Sequence, residues 1–216
     1  MNEHGNIKSS FDYFNKYNLS KDSKILDIGC NFGSLIFLLH ESGYKNIQGI
    51  DINLNSIEEG KNKYEKISER INYYDGEKVP FEDNTFDVVL MFDVIEHIPN
   101  IDKFLKNEVV RVLKRGGCLI FQTPNKYINI PWEVINQKSF LKYKEYHYSL
   151  QTKKSLKKLL EYSRFKDIII EKNNVLTEHN KNKVEKKLGF FGLMILYFLS
   201  ILPLFIFPNL WVIAKK

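Results

Sequence analysis

Strand-length apolar runs alternate with helical patterns along most of this chain, and that alternation constrains its fold more than any other feature. KILDIG (24–29) is followed by a helical pattern over 34–40, and NIQGID (46–51) by a polar helix over about 55–66. The series continues with INYY (71–74), FDVVLMF (86–92), a helix near 102–113, and GCLIFQT (117–123). In that helix Leu105, Val109, Val112 and Leu113 share one face, and Gly116 and Gly117 are expected to stop it. Such an order predicts an α/β fold, a doubly wound and mostly parallel sheet with helices on both faces. At 216 residues, 44% of them hydrophobic, the chain suffices for one well-cored domain, so 1–216 is expected as a single unit.

Before the first strand, Phe11, Phe14 and Tyr17 recur at helical spacing and predict a short packing helix. Residues 124–150 carry Pro124, Pro131, Trp132 and several tyrosines without a clear period, and read as a long loop or substrate lid. Thr152 is the expected cap of a helix aligning Leu156, Leu159 and Leu160, followed by the strand KDIIIE (166–171).

The formal charge is +6, yet acids and bases are interspersed over 1–187, which argues against a nucleic-acid footprint. Two cysteines, Cys30 and Cys118, lie far apart without metal-ligand spacing, so neither a disulfide framework nor a zinc site is expected. A reducing cytoplasm fits, as does an N-terminus without a signal-like apolar core.

The first strand-to-helix turn, ILDIGCNFG (25–33), carries the ligand chemistry. In doubly wound sheets the ligand lies outside the carboxyl ends of the strands, and the first turn must admit backbone closely, which Gly29 and Gly33 allow. Their spacing is not G-x-G-x-x-G, and no P-loop Gly-Lys-Ser/Thr follows. Asp27 would repel a phosphate but attract an ammonium or sulfonium. Asp51 ends the second strand 22 residues after Gly29, near the usual place of a ribose-binding acid. These residues point to a nucleoside with a cationic tail.

With ILDIGCNFG, IQGIDIN, YYDGEKVPFEDNTFDVVLMFDVIEHIPN and VLKRGGCLIFQTPN taken together, residues 20–175 resemble the class I S-adenosylmethionine-dependent methyltransferases, in particular their small-molecule and quinone-type group. The resemblance implies a Rossmann-like methyltransferase fold of seven strands and S-adenosylmethionine as cofactor. It places Asp27, Gly29, Cys30, Asn31, Phe32 and Gly33 around the methionine portion, and Asp51 with Ile52 at the ribose. Asp75 and Gly76 would flank adenine, and Phe92 and Asp93 would lie near the sulfonium. Where the family often has glycine this chain has Asn31, a residue that tolerates left-handed backbone.

Methyl transfer is an in-line displacement, so alignment supplies most of the catalysis. A base is needed only where the acceptor must lose a proton. His97 is the candidate base, or else a residue that orients the turn. Glu96 and His147 are candidate partners, the latter on the substrate side by the resemblance. Asp93, Glu96 and His97 also resemble an arrangement that holds a divalent cation in some quinone methyltransferases; no metal is assigned here, and the cation stays as an alternative. The expected acceptor is a small or lipid-linked molecule, methylated on oxygen. A sensor or membrane scaffold that binds S-adenosylmethionine without turnover is the rival reading.

Finally, Leu188–Phe207 carries no charge and is interrupted by Pro203, and NLWVIAKK (209–216) resembles a final antiparallel strand. If that strand pairs beside 166–171, both ends of the apolar block lie on one side of a membrane, and twenty residues cannot cross twice. Residues 181–208 are therefore expected as a basic and apolar helical insertion before the last strand. Lys181, Lys183, Lys186, Lys187, Lys215 and Lys216 would face anionic headgroups from the cytoplasmic side. Burial over the sheet edge or in a homodimer is the alternative.

Overall fold

The computed structural model describes residues 7–139, 142–172, 176, 178–201, 203 and 207–216. Seven strands, β1 (Ile25–Ile28), β2 (Ile47–Asp51), β3 (Ile71–Tyr73), β4 (Phe86–Phe92), β5 (Leu113–Pro124), β6 (Lys166–Glu171) and β7 (Asn209–Lys215), form one sheet. Its order is β3-β2-β1-β4-β5-β7-β6. The first five are parallel, and β7 runs antiparallel to both neighbours, as the sequence led us to expect. The helices are α1 (Ile7–Asn15), α2 (Ser34–Glu41), α3 (Leu54–Lys63), α4 (Ile101–Phe104), α5 (Val110–Val112), α6 (Lys126–Gln137), α7 (Lys153–Tyr162) and α8 (Glu178–Ile201).

The central strands read as unbroken apolar runs because both faces are covered. Leu26, Ile28, Val89, Met91, Leu119 and Phe121 pack with Leu156 and Leu160 of α7 on one face. Ile25, Val88, Leu90 and Ile120 pack with Phe14 of α1 and Leu35, Ile36 and Leu39 of α2 on the other. Asp27 shares the parity of Ile25 and is buried on the second face. Phe14 is wholly buried, with Phe11 and Tyr17 packed beside it, so α1 is the expected packing helix. Thr152 caps α7 in a capping box with Ser155, worth about 1 kcal/mol.

Three expectations need correction. Gly116 and Gly117 do not stop a helix: α4 passes through a π-helical turn (Leu105–Val109) into α5, which ends at Val112. The two glycines instead form a bulge inside β5, where the register jumps from Phe86 opposite Leu113 to Val88 opposite Cys118. A Cβ on Gly117 would sit 2.9 Å from the Asp87 carbonyl oxygen, so only glycine lets β4 pass so close. Residues 124–150 are not simply a loop, since α6 occupies much of the span. Asn125 caps α6 by accepting from the Tyr127 amide, and Lys138 in the left-handed region follows its end. The period escaped notice because Tyr127, Trp132 and Ile135 face solvent and Pro131 lies inside the helix.

The third correction concerns the end of the chain. Lys215 lies opposite Cys118, at the amino end of the parallel sheet, and Lys216 Nζ donates to Asn84 Oδ1 and the Leu113 carbonyl. Asn209 lies opposite Pro124 at the carboxyl end. Antiparallel pairing thus carries the last two lysines about 20 Å from the apolar block, at about 3.4 Å per residue. Among the described residues, no helix is long and apolar enough to cross a membrane.

Candidate active site

The carboxyl ends of β1, β2 and β4 gather most of the residues singled out in the sequence. After β1, the Gly29 and Cys30 amides both donate to the Ile50 carbonyl, at 2.8 and 3.1 Å, which locks the turn to β2. Gly29 (φ 80°), Asn31 (φ 50°) and Gly33 (φ 77°) have left-handed backbone, so Asn31 takes the conformation its residue type tolerates. Phe32 is buried, and a Cβ on Gly60 of α3 would lie 2.4 Å from its carbonyl oxygen. Cys30 is also buried, and burial holds its thiol well above the usual range.

Asp51 organises this turn. Its Oδ2 accepts from the Asn31 amide and its Oδ1 from the Asn53 amide, both at 2.8 Å. Asp27 lies behind it, and burial, then the Asp51 charge, pushes its carboxyl up to about 8. Ile52 is exposed, and its Cγ2 would lie 3.2 Å from a Cβ on Gly76. The loops after β2 and β3 therefore meet. Asp75 holds the second loop by accepting from the Glu77 amide at 2.9 Å.

After β4 the backbone turns sharply at Asp93 (φ 55°), whose carboxyl is raised by burial. Val94 then presses on the first turn: a Cβ at Gly29 would stand 2.3 Å from Val94 Cγ2. Residues Ile95–His97 form a single 3-10 turn, so Asp93, Glu96 and His97 do not share a helical face as the spacing suggested. Glu96 is 1% exposed, and its Oε2 accepts from Thr123 Oγ1 at 3.0 Å. Burial, then the Asp93 charge, lifts this carboxyl to about 8.

His97 Nδ1 lies 2.8 Å from the Tyr146 carbonyl oxygen. A carbonyl only accepts, so Nδ1 carries a proton, and in the neutral tautomer that leaves Nε2 as the acceptor. Nε2 is 3.9 Å from Glu96 Oε1, and the His97 and His147 ring centroids are 5.1 Å apart. The His147 imidazolium is disfavoured by burial, then by His97. Glu96, His97 and His147 are thus brought together. Among the described residues no three His, Cys, Asp or Glu side chains gather as a metal set.

Two residues of the site went unassigned in the sequence, although both lie in the quoted run QTPN. Thr123 holds Glu96, and the Asn125 side chain donates to the Phe207 carbonyl at 2.9 Å. The Tyr148 and Ser149 amides donate to the Glu96 carbonyl, at 2.8 and 3.0 Å, tying the segment after α6 to the turn after β4.

Residues 26–121, which contain β1 to β4, most of β5 and every cofactor-side residue named above, match the family described as Methyltransferase domain. Over that span, 96 of its 216 residues, the chain is similar to a methyltransferase domain. The chain is 40% identical over 109 residues to a sterol 4-C-methyltransferase of Caenorhabditis elegans, covering 49% of this chain and 32% of that protein. It is 33% identical over 115 residues to a ubiquinone biosynthesis O-methyltransferase of Rickettsia akari, covering 53% and 44%. The chain thus spans less than half the length of these two relatives. Among solved structures, phosphoethanolamine N-methyltransferase 2 of Haemonchus contortus, in complex with S-adenosyl-L-methionine, superposes with a TM-score of 0.66 at 18% identity. That likeness covers 97% of this chain and 52% of that one, and it concerns the fold.

Proposed function

We propose that this protein transfers a methyl group from S-adenosylmethionine to the hydroxyl of a small or lipid-linked acceptor. The observation that carries the reading is the set of acids on three strands adjacent in the sheet, Asp27 in β1, Asp51 ending β2 and Asp93 just after β4, around a left-handed turn. The donor set fits a cationic nucleoside. Asn31 Oδ1 is buried in the turn without a hydrogen-bond partner among the described residues, which suits an ammonium group. Asp27, in β1 just before that turn, becomes a counter-charge once a cation displaces its proton. Asp51 keeps lone pairs for ribose hydroxyls beyond those its two amides occupy. Ile52 and Gly76, in contact with each other, offer one wall for the base.

S-adenosylmethionine, when bound, supplies a methyl group on a sulfonium that leaves as a neutral thioether. The chain's own residues then have two tasks. The turns after β1 and β4 align donor and acceptor, which accounts for most of the acceleration. His97, fixed as the Nδ1–H tautomer by Tyr146, takes the hydroxyl proton on Nε2 as the oxygen–methyl bond forms and the sulfur–methyl bond breaks. Glu96 and His147 position that ring. A ring held through Nδ1, with Nε2 left for another partner, supports transfer to a hydroxyl over the non-catalytic sensor reading, since a sensor has no use for a fixed base.

A cytoplasmic location agrees with two buried cysteines that form no disulfide. The test is calorimetry with S-adenosylhomocysteine, followed by transfer of radiolabelled methyl to aqueous and lipid extracts. Absence of nucleoside binding sinks the reading; binding without transfer to either extract favours the sensor.

A further inference from the structure

Seven large apolar side chains of the last helical segment, 190–201, face solvent: Phe190, Phe191, Met194, Ile195, Tyr197, Phe198 and Ile201. Phe190 is 77% exposed. Gly192 and Leu196 are buried on the opposite side. At about 100° per residue the exposed set spans an arc of about 160°, so the helix is oriented apolar side outward, the reverse of a surface helix on a soluble fold. A patch of this kind marks an interaction surface.

The helix is also sharply bent. Gly189 has φ 57° and ψ −149°, outside helical space. Residues 184 and 192 would stand about 12 Å apart along a straight helix, yet a Cβ on Gly192 would lie 3.0 Å from the Val184 carbonyl oxygen. The apolar segment therefore folds back on the preceding one, and only glycine at 192 permits that contact. It rises about 18 Å, against a hydrocarbon core of about 30 Å, so it is too short to span.

Its position in the fold is fixed by both flanks. The Ser200 carbonyl accepts from Lys172 Nζ, just beyond β6, and the Asn125 amide donates to the Pro208 carbonyl at 2.7 Å. These contacts hold the insertion at the carboxyl end of β5, the edge that carries Asp93, Glu96 and His97. Trp132 and Ile135 of α6, also exposed, belong to the helix that starts at the same corner. In sequence, the segment before the bend carries lysines 181, 183, 186 and 187 against Glu178 and Glu185, a net positive charge that precedes the aromatic-rich apolar run. That pairing suits lipid headgroups above an acyl layer.

We infer that residues 190–201 dock shallowly into an anionic phospholipid bilayer and hold the open edge of the site against it. A lipid-borne acceptor then enters from the membrane; this last clause rests on the methyl-transfer reading, whereas docking does not. A second copy of the chain is the competing occupant. The breadth of the arc and the flanking lysines favour lipid, since paired helices bury a narrower seam.

The test uses the full chain and vesicles of phosphatidylcholine alone or mixed equally with phosphatidylglycerol. Sedimentation should carry the wild type down with the mixed vesicles and less with the neutral ones, and added salt should weaken the binding. Phe190→Ser with Phe191→Ser should lower the partition coefficient at least about tenfold. S-adenosylhomocysteine affinity in that variant should stay unchanged, which shows that the fold survives. Tyr197→Ser with Phe198→Ser is a second variant with the same expected loss. A wild type that stays in the supernatant with mixed vesicles overturns docking. So does a wild-type dimer in light scattering that the Phe190/Phe191 variant makes monomeric without changing vesicle binding. Vesicle binding without nucleoside binding leaves docking standing and overturns the methyl-transfer reading; nucleoside binding without vesicle binding does the reverse.

Discussion

Asp51→Ala separates the structural from the ligand-binding work of a single carboxylate. In the free protein Asp51 accepts two backbone amides, Asn31 and Asn53, each at 2.8 Å. Hydrogen bonds to a charged group contribute about 1.5–3 kcal/mol apiece, and the partial exposure of Asp51 places these toward the lower end. Removal should therefore lower the stability of the turn measurably without unfolding the domain. Loss of a further bond to the ribose should weaken nucleoside binding roughly 10- to 150-fold, at about 1.4 kcal/mol per factor of ten. Asp51→Asn keeps one acceptor oxygen but presents an NH2 group to the other amide, so its affinity should fall between the two. Calorimetry with both S-adenosylmethionine and S-adenosylhomocysteine reads the effect, with thermal melts as the control on folding. Both ligands carry the same ribose, so the loss must be nearly equal for the two. A loss confined to the sulfonium ligand would mean that Asp51 acts through its charge, and the ribose assignment would be wrong. An affinity unchanged by Asp51→Ala would remove the residue from the site altogether.

Three further outcomes are expected. His97→Ala should lower methyl transfer about 10²- to 10⁴-fold with S-adenosylhomocysteine affinity unchanged and the pH–rate profile altered; an unaltered profile leaves His97 a structural role. Gly29→Ala combines a left-handed backbone with a Cβ 2.3 Å from Val94 Cγ2 and should cost about 2–5 kcal/mol in urea unfolding, part of it restored by Val94→Ala. Asp27 and Glu96, both raised to about 8, stay protonated in the fold where the unfolded chain has lost those protons, so folding takes up protons between the ordinary carboxylate range and about pH 8. Stability should fall as pH rises through that window, and Asp27→Asn should flatten the slope; stability rising from pH 5 to 8 would contradict the burial of these acids.

The parallel sheet was legible because its strands are buried on both faces and read as short apolar runs between glycine-containing turns. Asp27, the Gly29–Gly33 turn and Asp51 were legible for the same topological reason, since strand ends are where a doubly wound sheet binds. Other features depend on contacts distant in sequence. Nothing local in GG reveals that Gly117 faces the Asp87 carbonyl across a bulge rather than ending a helix. The helix α6 was hidden because Pro131 lies inside it and its apolar residues are divided between exposed Tyr127, Trp132 and Ile135 and half-buried Ile128, Ile130 and Val134. Thr123 and Asn125 were visible as residues but not as partners, because Glu96 lies 27 positions before Thr123 and Phe207 lies 82 after Asn125. The acid-x-x-Glu-His spacing misled in the other direction: it presumes a helix, and Asp93 leaves helical space at φ 55°.

The boundary of the family match has a physical meaning. It ends at Phe121, two residues before Thr123 reaches Glu96 and four before Asn125 fastens the Phe207 corner. Up to that point the chain supplies the turns proposed to grip the nucleoside, a ligand common to all members that use it. Beyond it come α6, the Tyr146–Ser149 segment that holds His97 and Glu96, and the bent apolar α8. Two relatives and one solved structure similar to this chain are named for methylation at carbon, oxygen and nitrogen. On the proposed methyl transfer, acceptor choice is expected to belong to the later region, and a change of acceptor class to require mutations after residue 121. Substitutions among Asp27, Asp51 and Asp75 should alter nucleoside affinity alike for every acceptor, whereas substitutions at Trp132, Tyr146 and His147 should alter the ranking of acceptors at constant nucleoside affinity.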